Sequence, residues 1–261
     1  MADLPDLAQC HGELKEMGLL PDDELATVIV GSTARGWAYS TSDLDVVVFS
    51  QTLVADERLT ALTVPLSPDL VPVATFRAMD MAWEVKFWID GQIDQLLEKV
   101  SWTAFEQDNK VGFRLIDQEE YLLARLPTCL VLSGQDWVDK RRADIAESAF
   151  KAMQITLALG ESDKYCESAL GQLSAGDAEG AVLSAKHAFT SAVEAVLHAS
   201  GEYLAPPKWR ARRFRAADTA LISFDEYWSI ETMRSYDPAA PHEWVKHVVS
   251  RCKDLSMEIE F

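Results

Sequence analysis

Two aspartates lie two residues apart at the start of an apolar run. Asp43 and Asp45 belong to the segment SDLDVVVF, residues 42–49. The alternation of side chains along a strand puts both carboxylates on one face. Two anions held so close repel each other unless a cation lies between them. Because Mg²⁺ prefers a few carboxylates together with phosphate oxygens and water, the spacing predicts a magnesium site beside a phosphate-bearing substrate.

A glycine-containing turn precedes the two aspartates. An apolar run, residues 27–30, ends at Gly31 and Ser32, and Gly36 permits the next bend. Glycine lacks a Cβ, so backbone N–H groups can approach a phosphate closely, and the Ser32 hydroxyl adds a donor. The order of strand, turn and second strand therefore predicts that Gly31 and Ser32 face the phosphates.

This segment resembles the Gly-Ser…Asp-x-Asp signature of the DNA polymerase β-type nucleotidyltransferase superfamily. The residues that carry the resemblance are Gly31, Ser32, Thr33, Ala34, Arg35, Gly36, Ser42, Asp43, Leu44 and Asp45. The resemblance extends over residues 20–135 and implies an α+β fold, in which a mixed sheet is flanked by helices. It also implies that Asp43 and Asp45 bind Mg²⁺ and that Gly31, Ser32 and Arg35 bind an NTP.

The same superfamily usually has a third carboxylate on a neighbouring strand. Residues 82–89, AWEVKFWI, offer Glu84, which shares a strand face with Lys86 and Trp88. Glu84 would complete the metal site or act as general base on the attacking hydroxyl. The alternative is an edge-strand glutamate that forms an ordinary ion pair with a lysine.

Two further aspartates are weaker candidates for the third carboxylate. Asp80 precedes the strand, and Asp90 is followed by a glycine, which suits a turn. Residues 83–97 also look like the corresponding part of kanamycin nucleotidyltransferase, although the acidic position of that strand is not clearly matched.

From residue 136 onward the apolar pattern is helical, which predicts a catalytic domain, 1–135, followed by an all-α helical bundle, 136–261. Its clearest helix is 181–200. His187, Ser191, Glu194 and His198 share one face of that helix. This face is either solvated or turned toward a cleft. Aminoglycoside adenylyltransferases use a glutamate of their helical domain as general base, and the resemblance makes Glu194 the candidate.

A basic stretch follows that helix in an otherwise acidic chain. It contains Lys208, Arg210, Arg212, Arg213 and Arg215. A helix that begins after the two preceding prolines puts Lys208 and Arg212 on one face. In related transferases a basic residue of the helical domain commonly reaches the triphosphate, which implies that role for Lys208 first and Arg212 second. The alternative is a basic helix that neutralises an acidic surface.

Composition narrows the classes of partner. The formal net charge is −18 in 261 residues, which makes a nucleic-acid partner unfavourable and is compatible with a cationic small molecule. The alternative is that the charge serves only solubility. Apolar runs are too short to cross a bilayer, and residues 1–17 lack the features of a signal peptide, so a cytoplasmic protein is expected. The four cysteines show no metal-ligand spacing and are expected to be reduced. The oligomeric state is not predicted.

These observations predict a Mg²⁺-dependent enzyme. We expect transfer of a nucleoside monophosphate, AMP from ATP, to a hydroxyl of a small molecule such as an aminoglycoside-like antibiotic, with release of pyrophosphate. A protein or an RNA end is the alternative acceptor. A regulatory protein that binds a nucleotide without turnover is the alternative from another class.

Overall fold

The structure is a computed structural model that describes residues 8–107, 115–203 and 206–260. The described residues form two compact units. The first contains residues 8–107 and 115–148, and the second contains residues 149–203 and 206–260. The predicted division lay after residue 135, and the structure divides after residue 148 instead.

A six-stranded mixed sheet organises the first unit, in the order β3-β4-β5-β2-β1-β6. The strands are β1 (Glu24–Val30), β2 (Leu44–Ser50), β3 (Thr60–Thr63), β4 (Leu70–Ala78), β5 (Met81–Ile89) and β6 (Leu130–Ser133). Strands β2 and β5 run parallel, and the other neighbouring pairs are antiparallel. Since β2 and β5 are adjacent and parallel, polar residues near their starts lie side by side.

Helices accompany this sheet: α1 (Ala8–Glu16), α2 (Gly31–Ala34), α3 (Asp90–Lys99), α4 (Trp102–Gln107), α5 (Asp117–Arg125) and α6 (Gln135–Glu147). One sheet face packs against α1, where Leu14 joins a buried cluster with Ile29, Val46 and Val85. On the other face the ring centroids of Phe49 and Trp137 of α6 lie 4.4 Å apart, with the two rings tilted by 35°. Alternate residues of β2 and β5 therefore belong to different environments.

The second unit is all-α. Its helices are α7 (Phe150–Ser174), α8 (Ala178–Ala199), α9 (Arg210–Ala217), α10 (Phe224–Glu231) and α11 (Pro241–Glu258). The apolar stripe of α8 is fully buried and includes Phe189, Val193 and Val196. Asp177 caps α8, since its carboxylate accepts a hydrogen bond of 2.8 Å from the backbone N–H of Gly180.

The predicted fold class, a mixed sheet with helices followed by an all-α part, is confirmed. Among the helices of the described ranges, none has both the length and the apolar character needed to traverse a bilayer. The amino-terminal residues 1–7 lie outside the described residues. All four cysteines lie within the described residues, where they are buried and form no disulfide.

Candidate active site

The turn after β1 is pressed against the second aspartate. Gly31 has a φ of +71°, and a Cβ built on it would lie well inside van der Waals contact with Asp45 Oδ2. Only glycine satisfies both constraints, because a side chain would be strained at that φ and would collide with the carboxylate. The Gly-Ser turn and the aspartate are thus brought together, as the sequence predicts.

Register places the acidic residues on one sheet face. Asp45 pairs with Glu84 across the parallel strands β2 and β5, and Val30 pairs with Asp45 across β1 and β2. Register partners point to the same side of a sheet. Asp45 and Glu84 are therefore neighbours on the face that lies opposite the α1 cluster.

The carboxylate of Asp45 is electrostatically unfavourable in this position. Burial raises its pKa, and the charges of Glu84 and Asp43 raise it further. The cations of Arg125 and Lys86 act in the opposite direction without cancelling the shift. Bound positive charge would relieve this penalty, so the position suits a cationic ligand.

Asp43 lies just before β2 and is exposed. A turn precedes it, in which Ser42 Oγ accepts a hydrogen bond of 2.9 Å from the Tyr39 backbone N–H. The Ser42 N–H returns a bond of 3.0 Å to the Tyr39 carbonyl. This exchange orients the chain as it enters the strand.

Among the described residues, no three side chains of His, Cys, Asp or Glu are close enough together to hold a metal ion. Asp43, Asp45 and Glu84 are therefore not assembled as a ready set of three ligands. The two aspartates still fit Mg²⁺ chemically, because this ion binds through one or two carboxylates and takes its other ligands from phosphate and water.

Glu84 forms an ion pair within its own strand. Lys86 Nζ contacts Glu84 Oε1, and both side chains are partly exposed. The edge-strand alternative is wrong in its placement, since β5 lies between β2 and β4. The ion pair itself is present, and it keeps the Lys86 ammonium group beside the carboxylates of Glu84 and Asp45.

The two weaker aspartates serve the fold. Asp80 has a φ of +61° in the turn between β4 and β5. Asp90 is the first residue of α3 and accepts a hydrogen bond of 2.9 Å from Trp137 Nε1, and Arg141 of α6 also contacts it. These contacts link α3 to α6 and favour a structural role for Asp90.

A cavity of about 320 Å³ opens beside the acidic residues. Its lining includes Asp45, Glu84 and Lys86, with Leu62 and the fully buried Trp88 as apolar walls. The volume is in the range of small-molecule sites. Neither the cavity nor its far wall was predicted from the sequence.

Helix α5 forms that far wall with Gln118, Tyr121, Leu122 and Arg125. Spacings of three and four place Gln118, Tyr121 and Arg125 on one face of the helix, which we call the α5 face. The Arg125 guanidinium lies 5.1 Å from the Tyr121 ring centroid, and its Nη1 is 3.9 Å from Asp45 Oδ2. Arg125 and Asp45 therefore form an ion pair, but their atoms are too far apart for a hydrogen bond.

Both ends of α5 are anchored. Glu119 is fully buried, and its Oε1 accepts a bond of 2.6 Å from Lys99 Nζ of α3. Beyond the helix, Arg142 Nη2 donates to the Cys129 carbonyl at 2.7 Å. The cavity wall is therefore held in place by groups that do not line the cavity.

Glu194 lies in the second unit and bridges two arginines. Its carboxylate accepts from Arg210 Nε and Arg213 Nη1, each at 2.7 Å. Burial alone would raise the pKa of Glu194, but the charge of Arg213 and the bond from Arg210 outweigh burial and lower it. These contacts favour a structural role over the predicted general base, because a base needs a free lone pair and a pKa nearer neutrality.

The polar stripe of α8 is exposed at His187 and buried on either side of Glu194. Ser191 and His198 are 8% and 4% exposed. Burial lowers the pKa of His198 to about 4, so the imidazole is neutral near pH 7. The solvated-face interpretation is wrong for these two residues because α8 is central to the bundle, between α7 and α11.

The predicted phosphate-binding cations of the second unit flank one indole. Lys208 Nζ lies 5.2 Å, and the Arg212 guanidinium 4.9 Å, from the Trp209 ring centroid. In the first unit, Arg35 lies 4.2 Å from the ring centroid of Trp37. Such cation–π contacts orient the three side chains. Their roles toward a nucleotide stay predictions.

Comparison with known proteins identifies little. No protein-family model matches this sequence, and no curated protein matches it. A solved structure of a nucleotidyltransferase-like protein from Exiguobacterium sibiricum 255-15 is similar, with 10% sequence identity and a TM-score of 0.49, over 96% of this chain and 74% of that one. At this identity and TM-score the likeness assigns neither a family nor an activity. Evidence for the function therefore has to come from the residues of this chain.

Gly31→Ala tests the contact between the turn and Asp45. Gly36→Ala is the matched control, because Gly36 also has a positive φ, +65°, but has open space around it. Both changes should destabilise the fold by about 1–2 kcal/mol through backbone strain. Only Gly31→Ala should also abolish Mg²⁺-dependent NTP binding, measured by calorimetry. Equal binding by the two variants would contradict the proposed role of this contact.

Asp45→Asn should raise the melting temperature near pH 7. A carboxyl whose pKa is raised by folding destabilises the folded state when it is ionised, and the amide removes that charge. The gain should shrink as the pH falls toward 3.8, the ordinary pKa of aspartate. Thermal unfolding between pH 4 and 8 measures it, with the exposed Asp43→Asn as a control that changes the melting temperature less. A lower melting temperature for Asp45→Asn at every pH would contradict the electrostatic assignment.

Glu194→Gln should lower the free energy of unfolding of the second unit by about 3 kcal/mol, because the buried Arg213 guanidinium loses its counter-charge and Arg210 keeps only its ion pair with Glu231. Glu161→Gln is the control. Glu161 pairs with Lys164 on the surface at 3.3 Å, and its loss should change stability by less than about 1 kcal/mol. Urea denaturation followed by circular dichroism measures both. Normal stability of Glu194→Gln together with lost turnover would instead support the general-base role.

Proposed function

We propose that this protein is a nucleotidyltransferase, which moves a nucleoside monophosphate from an NTP to a hydroxyl and releases pyrophosphate. The observation that supports this most is the packing of Gly31 against Asp45, with Glu84 beside Asp45 in register. A turn that can approach phosphate and a pair of strand carboxylates are the parts that phosphoryl-type transfer requires.

The chain's own residues would position the reactants. The backbone at Gly31 and the Ser32 hydroxyl would hold the β- and γ-phosphates, and Arg35 would contribute to nucleotide binding. Asp43 and Asp45 would hold Mg²⁺, which supplies Lewis-acid polarisation and charge neutralisation when bound. ATP is the donor we expect, and Lys208 followed by Arg212 are the second-unit candidates for contact with the triphosphate.

The transfer step balances without a further reactant. The acceptor oxygen forms a bond to the α-phosphorus as the bond between that phosphorus and the bridging oxygen to the β-phosphate breaks. The hydroxyl proton passes to a carboxylate, and Glu84 is the candidate. The ion pair with Lys86 would hold the Glu84 side chain in place.

A small hydroxylated molecule is the acceptor we propose, because the cavity beside Asp45 has a volume suited to one. An aminoglycoside-like antibiotic is the candidate that the net charge of −18 favours. A protein or an RNA end is the alternative acceptor. Nucleotide binding without turnover is the alternative function.

Pyrophosphate release from each of the four NTPs with Mg²⁺ tests the proposal. The full chain is assayed with and without hydroxylated acceptors, and Asp43→Asn/Asp45→Asn is the blank, because it removes both metal-binding charges. We expect acceptor-dependent release that falls to background in the blank. Circular dichroism of the blank shows whether its fold is intact.

Acceptor-dependent release by the blank at the wild-type rate would refute the assignment of the two aspartates. NTP binding without release for any small acceptor would shift the function to a macromolecular acceptor or to regulation.

A further inference from the structure

The α5 face presents polar side chains that leave hydrogen-bonding capacity unused within the described part of the chain. Among the described residues, the side chains of Gln118, Tyr121 and Arg125 make no hydrogen bond, although all three line the cavity. Arg125 has only its ion pair with Asp45 and its contact with the Tyr121 ring. The Arg125 side chain is 27% exposed, so water can satisfy its N–H donors only in part.

This arrangement differs from an ordinary solvated helix face. A guanidinium carries five N–H donors and is matched geometrically by a carboxylate or a phosphate. Here it lies at one end of a cavity that also holds an amide and a phenol, while Leu62 and Trp88 form apolar walls. A few polar groups converging within an apolar cavity are typical of a ligand site.

The position of Arg125 relates this face to the chemistry. Arg125 partly neutralises Asp45 across 3.9 Å. If Mg²⁺ binds at the aspartates as proposed, Asp45 gains another cation, and Arg125 becomes available to a second anion. A molecule that contacts Arg125 would then lie beside both Asp45 and Glu84.

We propose that the cavity is the acceptor subsite and that the acceptor is a small hydroxylated molecule carrying an anionic carboxylate or phosphate group. Arg125 binds that anionic group, and Gln118 and Tyr121 bond to its polar atoms. This inference rests on the proposed transferase function. It replaces the cationic candidate, because a charge within a few ångströms acts more strongly on a bound ligand than the screened net charge of the whole surface.

Binding of one polyol skeleton with different end groups tests the inference. The probes are glycerol 3-phosphate, glycerate, glycerol and 3-amino-1,2-propanediol, titrated into the full chain by ligand-observed NMR, with and without Mg²⁺ and a non-hydrolysable NTP. Glycerol 3-phosphate or glycerate should bind at least about tenfold more tightly than glycerol and the amine, since a hydrogen-bonded charge contributes at least that factor.

Arg125→Gln should lower the affinity for the anionic probe by about tenfold or more, and Arg125→Lys should retain part of that affinity. Tyr121→Phe, which removes only a hydroxyl, should weaken it less. Arg77→Gln is the control, because Arg77 is exposed on β4 and outside the cavity lining. Which anionic end group binds distinguishes a carboxylate acceptor from a phosphate acceptor.

Mg²⁺–NTP binding is measured on the same samples, so the two proposals can fail separately. Wild-type protein that binds Mg²⁺–NTP but no anionic polyol overturns the inference alone. Loss of NTP binding in Arg125→Gln overturns it as well, because Arg125 then belongs to the nucleotide site. Wild-type protein that binds no Mg²⁺–NTP overturns the proposed function, and this inference with it.

Discussion

The repulsion among carboxylates at the starts of β2 and β5 is the constraint on which the candidate site depends. Strand register places Asp45 beside Glu84, and the turn after β1 closes on Asp45 from the other side. Burial adds to the electrostatic penalty on Asp45. A fold gains no stability from such a cluster, and bound positive charge would relieve its repulsion.

Cations around this cluster come from different parts of the first unit. Lys86 follows Glu84 on the same strand, and Arg125 approaches from α5. In the second unit, by contrast, the buried carboxylate is paired within the fold. There Glu194 is hydrogen-bonded to Arg210 and Arg213 at close range, which lowers its pKa. The first arrangement leaves bonding capacity for a ligand, whereas the second uses it up within the fold.

Much of the first unit was predictable because local patterns coincide with the fold. The alternation in β2 and β5 put Asp45 and Glu84 on defined faces. The α5 face was not predictable. The sequence pattern of this face is that of an ordinary helix surface. Only tertiary packing shows that a cavity lies against Gln118, Tyr121 and Arg125. The partners of Glu194 were missed for the same reason: Arg210 and Arg213 of the following basic stretch supply them, and only the packing of α9 against α8 shows it.

The anchoring of α5 has a consequence for how such a protein can change. Glu119 and Arg142 fix the helix through contacts outside the cavity, whereas Gln118, Tyr121 and Arg125 make few contacts within the fold. Positions that hold the backbone and positions that touch a ligand are thus separate residues. Substitutions on the α5 face can alter which molecules are accepted without disturbing the carboxylates or the sheet. The wall of the cavity is therefore the part of this scaffold most open to divergence and to redesign.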